Sequence, residues 1–154
     1  MESVLADVFP NAVFIVTHRE PVGRNASGAG LLAHYQVAYS DIDRAAACGA
    51  TNLALWSFAT EQQMKVRDAH PALPMLDIGY AELTGNAASV AEKIYAHAGL
   101  SLTPPARQAM GDWDRDNAQH KLGTYRYALE DFALTREMIL ARFESYVERY
   151  SRYF

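Results

Sequence analysis

Apolar positions fall into two short, β-rich runs set among long stretches of helical spacing. Asn11-Ala12-Val13-Phe14-Ile15-Val16-Thr17 is dense in β-branched and aromatic residues, follows Pro10 and stops at the polar His18-Arg19-Glu20-Pro21. It predicts a strand buried on both faces. From about Val22 the pattern turns helical, with Leu31, Leu32, Tyr35, Ala38, Tyr39, Ile42 and Ala45 on one face at spacings of three and four. Gly49 and Asn52 are expected to interrupt that helix. A further helix carries Leu53, Trp56, Ala59, Thr60 and Gln63 on one side and ends at His70-Pro71 and Pro74, because proline cannot continue the ladder. Met75-Leu76-Asp77-Ile78-Gly79 is the second strand. A crossover this long between two strands means a parallel pair and an α/β fold.

The rest of the chain reads as helix and loop. One helix runs from about Ala87 to Ala98 and closes at Gly99; another is opened by Thr103 as cap and Pro104 in its first turn. In the last helix Ile139, Leu140, Phe143, Tyr146, Val147 and Tyr150 repeat at helical spacing. No repeat, low-complexity tract or linker divides residues 1–154, which are read as one domain. Two strands alone make a poor sheet, so the remaining strands of the design are expected to be encoded elsewhere.

Composition narrows the function. Fourteen Lys and Arg against eighteen Asp and Glu give a net charge of −4, which removes any general attraction to nucleic acid or anionic membrane and leaves only local anion sites. The single cysteine, Cys48, cannot pair within the chain, and the opening residues lack the order of a signal peptide. A soluble, cytoplasmic protein is expected. The five histidines show no metal-ligand spacing, and no metal site is assigned.

Arg19 stands just past the carboxyl end of the first strand, where ligands of open α/β sheets bind. Ser27, eight positions on, is expected in or near the first turn of the following helix. Free N–H groups at a helix start, a serine hydroxyl and a planar guanidinium together make a phosphate clamp. On spacing alone, the same residues also fit an arginine paired with a surface carboxylate and a serine cap.

The run from Phe9 to Pro21 with Ser27 beyond it resembles the 3′-phosphate-binding segment of sulfotransferases that use adenosine 3′-phosphate 5′-phosphosulfate (PAPS). Ile78-Gly79-Tyr80-Ala81-Glu82-Leu83 is similar to that family's strand-end Tyr-Glu-Asp-Leu segment. His120-Lys121-Leu122-Gly123 and Arg126-Tyr127-Ala128-Leu129-Glu130-Asp131-Phe132 resemble the Lys-His-Gly and Arg-Tyr-Ser-Leu-Glu-Asp-Phe stretch of bacterial members. The resemblance implies a partial P-loop-type sulfotransferase fold. Arg19 and Ser27 would hold the ribose 3′-phosphate, Tyr80 would lie against the adenine, and Lys121 would belong to a loop closing over the phosphate. Tyr80 also fits a half-buried core aromatic, and Lys121 a solvated surface lysine.

Departures from the family pattern are Glu20 for the usual aspartate and Gly23-Arg24-Asn25 at positions usually apolar, which is expected to loosen the helix start. The phosphosulfate-binding Ser-Gly-Thr loop and the acceptor base precede the Arg segment in the family. The chain is therefore expected to be the carboxy-terminal portion of a sulfotransferase, with no catalytic residue of its own, able to hold part of PAPS and unable to use it alone. Its expected partners are the nucleotide, an acceptor hydroxyl or amine compound, and a missing amino-terminal half or a second copy. The alternative is a non-catalytic nucleotide-binding or helical interaction module built on the same fold. Two other patterns are set aside: Gly28-Ala29-Gly30-Leu31-Leu32-Ala33 lies too far from the strand for a dinucleotide fingerprint, and Asp112-Trp113-Asp114-Arg115-Asp116 reads as a charged helix end.

Overall fold

A computed structural model describes residues 2–117 and 128–154. The two strands form where the β-branched runs lie. β1 (Phe14–His18) and β2 (Met75–Gly79) pair in parallel, register Phe14 with Met75 through His18 with Gly79. Between them run α2 (Pro21–Tyr39) and α3 (Ala45–Ala69); a short α1 (Glu2–Val8) precedes β1. After β2 come α4 (Tyr80–Gly85), α5 (Ala87–His97), α6 (Pro104–Asp116), a 3₁₀ turn at Glu130–Phe132, α7 (Arg136–Arg142), α8 (Glu144–Tyr150) and a second 3₁₀ turn at Ser151–Tyr153. The chain divides into two compact units, one of residues 2–18, 70–117 and 153–154, the other of residues 19–69 and 128–152.

In the first unit β2 is backed by α4 and α5, and Ile78 and Val90 are fully buried. Gly99 takes the left-handed backbone (φ 68°) that ends α5, and the Thr103 hydroxyl caps α6 by accepting from the Ala106 N–H. Asp112–Asp116 is the last turn of α6, where Asp112 accepts from Arg115 at 2.8 Å. The strands are less buried than the sequence implies: β1 is mostly half-covered and Thr17 is exposed.

In the second unit α2 packs on α3, and both meet α7. The apolar stripe expected to face the core does not: Leu31, Tyr35 and Tyr39 are exposed, and α2 buries Pro21, Asn25, Ala26, Ala29 and Gly30 instead. Small residues let the two helices approach closely, and a polar link completes the contact. Asn52 Nδ2 donates to Asn25 Oδ1 at 3.0 Å, and Asn25 Nδ2 donates to the Pro21 carbonyl at 2.8 Å. Asn25 thus ties the helix start rather than loosening it. Nor do Gly49 and Asn52 interrupt a helix; α3 runs through both, because the Phe132 carbonyl sits where a Gly49 Cβ would have to be. The predicted last helix breaks at Phe143 (φ −110°, ψ 16°) into α7 and α8, whose Ile139, Phe143, Tyr146 and Tyr150 form the core with Leu53, Phe132 and Leu134.

Candidate functional site

The start of α2 follows from three adjacent residues. Pro21 at the first helical position has no N–H to satisfy and a φ already suited to helix. Glu20 is the N-cap, its carboxylate accepting from the Val22 N–H at 3.0 Å and the Gly23 N–H at 2.8 Å. The first-turn amides expected to greet an anion are therefore occupied by a carboxylate. Ser27 is the seventh residue of the helix, in its second turn and not its first. Any grip on phosphate here rests on side chains.

Arg19 and Ser27 lie in the same unit, both half-buried. Arg19 Nη2 is 3.9 Å from the point that a Gly23 Cβ would occupy. Gly23 and Ser27 are four residues apart, one above the other on a single helix face. The guanidinium and the hydroxyl thus flank a strip of helix surface about one turn, ~5.4 Å, in length, which glycine leaves open. A tetrahedral oxyanion accepting hydrogen bonds of about 2.8 Å on two of its oxygens bridges such a span. Among the described residues the Ser27 hydroxyl has no hydrogen-bond partner.

Two residues that the sequence reading passed over adjoin this strip. Arg24 Nη2 donates to Thr60 Oγ1 at 3.2 Å, and its guanidinium lies 4.4 Å from the centre of the Trp56 ring and 5.6 Å from that of Phe143. Burial pulls its pKa down, the Tyr146 hydroxyl works against that, and the nearby Arg19 charge lowers it further. Tyr146 on α8 is buried, and burial holds its phenol above the ordinary value of 10.0, against the opposing pull of the Arg19 backbone and the Arg24 charge. No local pattern brings Tyr146 to this place, since it lies more than a hundred residues from both arginines.

Tyr80 belongs to the other unit. β1 and β2 end in register at His18 and Gly79, and Tyr80 follows directly on the end of β2. Tyr80 is half-buried at the first position of α4. The strand ends are fixed from within. Buried His18 bonds Asp77 through Nε2 at 2.7 Å and stacks on Tyr153 with ring centres 5.0 Å apart. Gly79 admits the Tyr153 carbonyl to 2.5 Å of where a Cβ would stand. Glu82 of α4 pairs with Lys93 of α5. Lys121 lies outside the described residues. The Gly28–Gly30 sequence is mid-helix in α2, and no cluster of metal-ligating side chains occurs among the described residues.

The sequence profile of the Sulfotransferase family matches residues 3–104, which hold Arg19, Ser27 and Tyr80. The chain belongs to the sulfotransferase family. Its fold is that of a sulfotransferase from Mycobacterium avium, STF9, with a TM-score of 0.81 at 21% identity over 96% of this chain. The chain spans 38% of the length of that relative. A search of curated proteins found no match. Lys121 falls beyond the matched residues. No helix among the described residues is long and apolar enough to cross a membrane.

Proposed function

We propose that this sulfotransferase-family chain binds the 3′-phosphoadenosine end of PAPS, with Arg19 and Ser27 on the ribose 3′-phosphate and Tyr80 against the adenine. The observation that carries this reading is the Arg19 guanidinium beside Gly23, its Nη2 3.9 Å from where a Cβ would stand, one turn from Ser27 on the same helix face. A side chain at residue 23 would fill that strip; glycine leaves room for an ester phosphate. Arg19 supplies charge and a fork of donors, and Ser27 a single donor that cannot be charged away. Tyr80 offers a flat face for stacking at the end of β2. Lys121 is assigned to closure over the phosphate on its sequence context alone.

PAPS, when bound, supplies the sulfuryl group that the family transfers to an acceptor hydroxyl or amine. We assign residues 1–154 to the carboxy-terminal part of such a domain, its donors for the sulfonate and its acceptor base coming from polypeptide beyond these residues. The 38% coverage of the mycobacterial chain supports that assignment. Cys48, a buried free thiol, supports a reducing, cytoplasmic setting. Two or three charge-assisted hydrogen bonds to one phosphate contribute on the order of 3–9 kcal/mol before association costs, so about millimolar to micromolar is the tightest range that these contacts alone allow.

Calorimetric titration with adenosine 3′,5′-bisphosphate and with adenosine 5′-monophosphate tests the reading. The bisphosphate should bind at least about tenfold more tightly, and Arg19→Ala should abolish that preference. Equal binding of the two nucleotides by the wild-type chain contradicts it. Transfer of labelled sulfate from PAPS by this chain alone contradicts the assignment of the phosphosulfate end to polypeptide elsewhere.

A further inference from the structure

We propose that the cavity at the turn between α2 and α3 is a second small-molecule site, one that takes a flat aromatic compound carrying a single negative charge. The cavity lies wholly within the second unit and measures about 360 Å³, inside the range of about 300–1,000 Å³ typical of small-ligand sites. Leu32, Tyr35 and Tyr39 line it from the second half of α2, and Ala47 and Cys48 from the first turn of α3. Tyr35 and Tyr39 are four residues apart, so they stand one above the other on a single helix face. They are 56% and 87% exposed, and α3 answers them with small side chains that leave the space unfilled. Tyr35 is eight residues along α2 from Ser27, about 12 Å, which separates this place from the phosphate strip.

Charge supplies the second requirement. Arg44, in the segment joining the two helices, also lines the cavity, and none of the described residues lining it is acidic. Its side chain has no ion pair or hydrogen-bond partner among the described residues. The adjacent Asp43 carboxylate is engaged with the helix start, accepting from the Ala45 N–H at 2.9 Å. The first turn of α3 holds no acidic residue, so the partial positive charge of that helix start adds to the guanidinium. A planar fork of donors beside two tyrosines suits a molecule that joins an anionic group to an aromatic ring. An inorganic anion would leave the tyrosine rings uncovered, and a neutral aromatic compound would leave the cation unmatched.

Calorimetric titration with naphthalene-2-sulfonate and with 2-naphthylmethanol, which shares the ring system and lacks the charge, tests the site. The sulfonate should bind about 5- to 10-fold more tightly than the alcohol. Arg44→Gln, at an exposed position, should remove that difference and leave the alcohol unchanged. Ala47→Leu, which fills the cavity from a helix position that leucine suits, should weaken both compounds by about tenfold or more. Should Ala47→Leu fail to fold, Tyr35→Ala, also at an exposed position, is read in its place by the same loss of both compounds. Saturating adenosine 3′,5′-bisphosphate and the Arg19→Ala substitution should each leave the sulfonate affinity unchanged. Failure of the sulfonate to bind, a preference for it that survives Arg44→Gln, or its displacement by the bisphosphate overturns the proposal. Binding of the sulfonate by a chain that ignores the bisphosphate upholds this site and contradicts the nucleotide reading alone.

Discussion

His18 Nε2 lies 2.7 Å from Asp77 Oδ1, joining the last turn of register of β1 to the middle of β2 in a place where His18 is 1% exposed. The pairing explains why a histidine is buried at the end of β1 immediately before Arg19: its polar edge is satisfied by Asp77 and its face by Tyr153. Truncating one partner leaves the other buried and uncompensated. Asp77→Ala should destabilise the fold by about 2–4 kcal/mol, read as a lowered urea midpoint at unchanged slope. A loss below about 0.5 kcal/mol contradicts the assignment of this pair as the lock on the strand ends.

Glu20 sets a second expectation, because the same carboxylate caps α2 and stands beside the Arg19 guanidinium, both within 4 Å of the Gly23 Cβ position. Glu20→Gln keeps an oxygen for the cap and removes a negative charge. Bisphosphate affinity should rise about 2- to 5-fold. Glu20→Ala should cost about 1 kcal/mol of stability through the lost cap. An unchanged or reduced affinity in Glu20→Gln places the anion away from this helix start.

The helical glycines separate by what surrounds them. Gly111 in α6 has open space around its Cβ position, so Gly111→Ala should stabilise by about 0.5–1 kcal/mol through helix propensity. Gly49 in α3 has the Phe132 carbonyl and, at 2.9 Å, the Phe132 Cβ in the way. Gly49→Ala should destabilise by about 1–3 kcal/mol. Thermal denaturation of the two variants side by side checks the contrast, and equal shifts contradict the packing described for α3.

The fold was legible where residue type and local geometry agree. Phe14, Ile15 and Val16 announce β1, the length from there to Met75 fixes the parallel pairing, and Thr103-Pro104 announces the start of α6. The α2 stripe misled because hydrophobicity does not mark its buried face. Asn25, Ala26, Ala29 and Gly30 are buried for their size and for the hydrogen bond to Asn52, a partner 27 residues away that no periodicity reveals. Gly49 misled for a related reason: the missing side chain serves Phe132 rather than a break in the helix. At the site, the Arg19–Ser27 spacing was visible in the sequence, whereas the Glu20 cap needed the exact helix start and the seat of Arg24 between Thr60 and Trp56 needed the tertiary fold.

Tyr146 also gives the alkaline limb of stability a sign. Burial raises its pKa above 10.0, so the folded state holds the phenolic proton more tightly than the unfolded chain. Its contribution is fully present below pH 10 and is lost as pH rises through the raised value. Urea denaturation at about pH 8 and about pH 11 should show a steeper loss for wild type than for Tyr146→Phe, which has no proton to lose there. Equal losses contradict the burial of the ionisable phenol.

The central claim is that Arg19 and Ser27 face a common phosphate, and a crystal structure of the chain with adenosine 3′,5′-bisphosphate tests it most directly. The 3′-phosphate oxygens are expected within about 3 Å of both the Arg19 guanidinium and Ser27 Oγ, beside Gly23. A 3′-phosphate bound elsewhere, or touching neither side chain, contradicts it.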